Sequence, residues 1–63
     1  MTKQDYAIML INTLGGTTAT AKHFSLSDRR IADNWRKRGV PAKFARTASE
    51  ITGIGIEKFI LGD

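Results

Sequence analysis

The stretch TTATAKHFSLSDRRIADNWRKRGVP, from Thr17 to Pro41, divides into a short alanine-bearing segment, a polar turn and a strongly charged second segment. Ala19, Ala21 and Phe24 mark the first segment, and Ser25-Leu26-Ser27 interrupts it. The second segment turns Ile31 and Trp35 inward and leaves Arg29, Arg30, Asp33, Asn34, Arg36 and Lys37 outside. A helix-turn-helix needs a small residue where its helices cross, an apolar residue plugging the turn and apolar anchors under the second helix. Ala21, Leu26 and the Ile31/Trp35 pair fill those three places. The pattern predicts a second helix over about residues 28–38, exposed in the way a helix must be to enter a DNA major groove.

Working outward, glycine and proline cut the chain into five short helical segments. The first is expected over Lys3–Leu14. Thr2 and Asp5 have capping-box spacing, and Tyr6, Met9, Leu10, Thr13 and Leu14 form one helical stripe for the core. Gly15-Gly16 stops it. Thr17 or Thr18 is the expected cap of a second helix reaching about Phe24. Ser27 is the expected cap of the third, with Asp28 near its positive end and Arg36-Lys37-Arg38 near its negative end. Pro41 suits the first position of a fourth helix, whose inward face would be Phe44, Ala45, Ala48 and Ile51. Ile56 to Leu61 is read as a last helical turn or two, with a strand as the other option, because so short an apolar run has no decisive period.

Sixty-three residues with no cysteine and one histidine make one domain over 1–63 without a disulfide framework or a thiolate metal site. So short a chain buries only about 60% of its unfolded surface, so stability must come from helix packing, caps or a second copy. No apolar run approaches the roughly 20 residues of a membrane span, and no secretory signal is visible. The expectation is a soluble, cytoplasmic chain without a membrane partner.

Net charge is +4, and its placement is uneven. Lys22, Arg29, Arg30, Arg36, Lys37, Arg38, Lys43 and Arg46 are opposed in that span only by Asp28 and Asp33. Asp5, Glu50, Glu57 and Asp63 lie toward the ends. A basic middle bounded by acidic ends is the footprint of a polyanion-binding face, and equally that of a solvated helix surface. Arginine can bind guanine in bidentate fashion, asparagine adenine, and aspartate can accept from cytosine. Ser27, Arg29, Arg30, Asp33 and Asn34 are therefore the base-reading candidates, taken as a group. Thr17, Thr18, Lys22, Arg36, Lys37, Arg38 and Lys43 are candidates for phosphate contacts. Two arginines in the first turn of a helix oppose its dipole, which favours a functional reason for them. Asp33 has a rival role in an i,i+4 pair with Arg29 or Lys37. Trp35 is expected as a core anchor rather than a base-stacking residue, and His23 as a partly exposed helix residue.

These residues resemble a known group. Ala19-x-Ala21-Lys22-x-Phe24-Ser25-Leu26-Ser27 and Asn34-Trp35-Arg36-x-Arg38-Gly39-Val40-Pro41-Ala42, opened by Leu14-Gly15-Gly16-Thr17, are similar to the Cro-like and YdaS-like prophage repressors of the lambda-repressor-like helix-turn-helix family. Glu50 to Asp63 resembles the fourth and fifth helices of that group. The resemblance implies an all-α bundle of about five helices that binds an operator, usually as a homodimer on a two-fold symmetric site. Two positions depart from it. Ser25 stands where that group carries glycine, which predicts a different turn conformation. Ile31 and Trp35 are four apart where the group spaces them three apart, so either Ala32 takes the aliphatic place or the turn is one residue longer.

The expectation is thus a sequence-specific duplex-DNA-binding transcriptional regulator of Cro-like repressor type. It would need no cofactor, metal or small-molecule substrate, and Phe59, Ile60 and Leu61 are candidate dimer contacts. The alternative is a helical protein-interaction module of antitoxin or anti-repressor type. Enzymatic function is not expected, since paired carboxylates, a phosphate-cradling loop and metal-ligand spacing are all absent.

Overall fold

Tyr6, Ala7, Leu10 and Ile11 are buried along one side of the first helix, α1 (Lys3–Leu14), and every other helix packs against it. The computed structural model describes all residues 1–63. It is all-α, with α2 (Thr17–His23), α3 (Arg29–Arg38), α4 (Ala42–Thr52) and α5 (Ile56–Leu61) gathered around α1. The last segment is a helix, not a strand.

The α1 capping box forms as its spacing requires. Thr2 Oγ1 accepts from the Asp5 amide at 3.2 Å, and an Asp5 carboxylate oxygen accepts from the Thr2 amide at 2.8 Å. Gly15 ends the helix in the left-handed conformation at φ 100, which costs glycine no Cβ clash. The stripe is rotated relative to the sequence expectation. Met9 and Thr13 are exposed, and Ala7 and Ile11 take their inward places. A central helix touched from several sides buries its smallest residue for close approach, and Ala7 serves that need better than a methionine.

Two expected caps move by one residue. Gly16, not Thr17 or Thr18, is the N-cap of α2, and Asp28, not Ser27, caps α3. Asp28 Oδ1 accepts from the Arg30 amide at 2.9 Å. Pro41 lies just before α4 rather than at its first position. The turn between α2 and α3 keeps the geometry that a glycine there would give. Ser25 adopts φ 56, and the Leu26 amide donates to the Ala21 carbonyl at 2.8 Å, as in a glycine-ended helix. The expected change of turn conformation is therefore absent, because the hydrogen bonds that close α2 hold Ser25 in the left-handed region. That region is strained for any residue with a Cβ, and the Ser25 side chain makes no hydrogen bond in return. Ser25→Gly should raise unfolding stability by about 0.5–1 kcal/mol, measured by urea melts. A loss of stability would contradict this account of the turn.

Ala32 is fully buried and Trp35 is 3% exposed, while Ile31 is 36% exposed. This settles the spacing question: Ala32 takes the aliphatic place, three residues before the tryptophan, and Ile31 is not a core anchor. Trp35, Phe24 and Phe44 form an aromatic triangle with centroid separations of 5.2–5.4 Å, which joins α3 to α4 across the end of α2. Ala45 and Ala48 carry α4 into the core, with Phe44 and Ile51 half-buried. Phe59 anchors α5, fully buried and edge-on to Tyr6 at 6.2 Å.

The two ends of the chain are tied together. One Asp63 carboxylate oxygen accepts from the Tyr6 hydroxyl at 2.8 Å and the Met1 amino group at 3.3 Å, and the other accepts from Lys58 Nζ at 2.6 Å. Gly62 allows this approach, since a Cβ there would lie 2.8 Å from the Lys3 amide nitrogen. The Lys58 ammonium, then the Tyr6 hydroxyl and the Met1 amine, hold the Asp63 carboxyl far below its ordinary value. The folded pKa is depressed, so this stabilisation is present above the unfolded pKa of about 4 and lost as pH falls below it. Asp63→Asn should lower Tm at neutral pH and lessen the fall in Tm between about pH 4 and pH 2. Identical melting of variant and parent at neutral pH would remove the clasp from the stability account.

Candidate nucleic-acid interface

With Ala32 and Trp35 inward and about 100° per residue, the outermost strip of α3 is Arg30, Asp33, Asn34 and Lys37. Arg29 and Arg36 flank it on one side, and Ile31 and Arg38 on the other. Arg29, Arg30, Asn34, Arg36, Lys37 and Arg38 are exposed, Asp33 is half-buried, and Ser27 is exposed in the turn just before the helix. The corrected register matters here. Resting on Ala32 rather than Ile31, it puts Lys37 beside Asn34 on the central strip and moves Arg29 to its edge.

Arg30 is the one base-reading candidate with an ionic partner. Its Nε and Nη2 donate to the same Asp28 oxygen at 3.1 and 2.8 Å. This pairing, more than the Arg30 amide bond, holds the Asp28 carboxyl below its usual range. The expected objection to two arginines in a first turn is thereby halved, since the cap carboxylate neutralises one of them. The Arg30 side chain is 82% exposed, so the pair is weak and the guanidinium can exchange Asp28 for another acceptor at little cost. Arg29 has no such partner. Asp33 pairs with neither Arg29 nor Lys37; the only i,i+4 ion pair in the chain is Arg46 with Glu50 at 3.8 Å.

The phosphate candidates come from three helices. Thr18 and Lys22 are exposed on α2, with Thr17 half-buried beside them; Arg36, Lys37 and Arg38 are exposed at the end of α3; Lys43 is exposed on α4. Lys22, Arg36, Lys37, Arg38 and Lys43 make no ion pair. Lys43 Nζ lies 5.2 Å from the Phe44 ring centroid, in the range of a cation–π contact. By contrast, residues 6–21 carry no charge at all. The cations are therefore concentrated in α3 and its neighbours in sequence, Lys22 on α2 and Lys43 and Arg46 on α4, while most of α1 is uncharged. His23 is exposed, with its ring edge-on to Phe24 at 5.2 Å.

Two features escaped the sequence reading. The Asp28–Arg30 clamp has i,i+2 spacing, which is not a regular helical pairing. Gln4 Nε2 donates to the Lys37 carbonyl at 3.2 Å, tying α1 to the end of α3 across 33 positions that no local pattern connects. Phe59, grouped above with Ile60 and Leu61 as a dimer contact, is spent inside the core. The exposed apolar residues of α5 are Ile56, Ile60 and Leu61. No three His, Asp or Glu side chains come together as a metal site would require, and no helix is long and apolar enough to cross a membrane. No family model matches the chain, and neither a curated protein nor a solved structure matches it.

Proposed function

We propose that this protein is a sequence-specific duplex-DNA-binding transcriptional regulator of Cro-like repressor type, with α3 lying in the major groove. The observation that carries this reading is the outward strip of α3, where Arg30, Asp33, Asn34 and Lys37 project together from a helix anchored by Ala32 and Trp35. Those side chains are the donors and acceptors that distinguish base pairs in the major groove. The exposed, unpaired cations of α2, the end of α3 and α4 are available for the phosphate contacts that set register. Arg30 exchanges Asp28 for a base edge; Lys22, Arg36, Lys37, Arg38 and Lys43, with Thr17 and Thr18, hold the backbone.

Two copies on a two-fold site would place their α3 helices about 34 Å apart, one turn of DNA. The longest dimension of the molecule is 28 Å, so neighbouring copies would share only a small contact. Ile60 and Leu61, with Ile56 in place of Phe59, are the candidates for it. Such a regulator would work at the bacterial nucleoid or in the cytoplasm of a phage host. The same exposed α5 residues favour the second reading, a protein-interaction module without DNA binding.

Selection from a random duplex library decides between them. The expected result is an enriched palindrome with half-sites about 10 base pairs apart. Recovery of the input distribution, with no motif, would sink the proposal.

A further inference from the structure

A concavity of about 370 Å³ lies between the start of α1, the connection from α3 to α4, and α5. Its apolar lining is Val40, Pro41, Ala42, Phe59 and Ile60, of which Val40 and Phe59 are buried beneath the other three, and Lys3 and Arg38 line it as well. Neither cation has an acidic partner. The chain's own acids are mostly committed elsewhere. Asp5 is held in the α1 cap, Asp28 by Arg30, Glu50 by Arg46 and Asp63 by Lys58, Tyr6 and Met1. Asp33 lies on the outward strip of α3, and the Glu57 carboxylate folds back against Gly55. The volume is near the lower end for small-ligand pockets, about 300–1,000 Å³. It suits one or two side chains reaching in from another chain better than an enclosed small molecule.

We propose that this groove is a docking site for an acidic, apolar segment of a partner protein. A leucine-like side chain would rest on Pro41, Ala42 and Ile60, the part of the lining that reaches the surface, while flanking carboxylates meet Lys3 and Arg38. Apolar burial supplies the affinity, and the two cations select acidic neighbours and orient the segment. The groove shares Arg38 with the phosphate set and Ile60 with the candidate contact between copies, whereas Lys3 belongs to neither, so Lys3 separates this proposal from the DNA reading.

The test is an ¹⁵N titration of the whole protein with a capped peptide of alternating glutamate and leucine, beside an all-glutamate peptide of the same length. The expected result is shifts centred on the amides of Lys3, Gly39, Val40, Ala42 and Ile60, and weaker binding of the all-glutamate peptide. Ile60→Ser, at an exposed position that does not threaten folding, should weaken the mixed peptide about tenfold. Lys3→Gln should weaken it about threefold and leave duplex affinity unchanged. Two results would overturn the proposal: no binding, or shifts spread over the α3 and α4 cations with Ile60→Ser neutral. Duplex affinity measured separately shows whether the DNA reading stands or falls on its own.

Discussion

Trp35→Ala should lower the melting temperature by about 12–40 °C. Its indole is 3% exposed and meets Phe24 at 5.3 Å and Phe44 at 5.4 Å, so truncation empties the middle of the layer that joins α3 to α4. Large aromatic truncations in a core cost about 3–5 kcal/mol. A domain of this size has roughly 3–9 kcal/mol in total. The loss therefore takes a third of the available stability at the least and all of it at the most, with no disulfide to offset it. Trp35→Phe keeps part of the ring packing and should melt cooperatively at a lower Tm. Far-ultraviolet circular dichroism during heating checks both. A Trp35→Ala variant that melts within a few degrees of the parent would mean that the tryptophan is not the anchor of α3.

The second large effect concerns base preference. Arg30→Ala and Asn34→Ala should each reduce discrimination at one position of the operator by about 1–3 kcal/mol, while the protein stays folded because both side chains are exposed. Lys43→Ala should weaken all sequences alike and lower the salt slope by about one. Arg30 is the more informative variant, because its loss also strips the Asp28 cap of its guanidinium partner. A modest drop in Tm beside the relaxed specificity separates those two roles. Binding competitions with single-base operator variants provide the measurement. Equal losses for every operator variant would make Arg30 and Asn34 phosphate contacts rather than readers.

Much of the fold was legible because glycine and proline mark the ends of helices, and the Thr2–Asp5 box marks a start by spacing alone. What misled the sequence reading was a preference for large apolar residues. Ile31 and Met9 looked like core by hydrophobicity, yet Ala32 and Ala7 are buried because close helix crossings select small side chains over greasy ones. The cap of α3 slipped for a local reason: Ser27 and Asp28 are both good caps, and only the bond from the Arg30 amide distinguishes them. The Asp63 clasp was invisible, since Tyr6 and Asp63 are 57 positions apart and meet only after α5 has packed on α1. The cluster of cations was legible as composition, but the outward strip of α3 was not. That strip depends on which of two neighbouring residues, Ile31 or Ala32, turns inward.

The most direct test of the central claim is the affinity for a selected duplex, followed by fluorescence anisotropy while salt rises from about 50 to about 200 mM. If about four of the exposed cations engage phosphates, log affinity should fall linearly with log salt at a slope near −3.6. Over that range the loss is roughly a hundredfold. A flat response, or no duplex binding at any salt, would contradict the assignment of α3 as a DNA-reading helix.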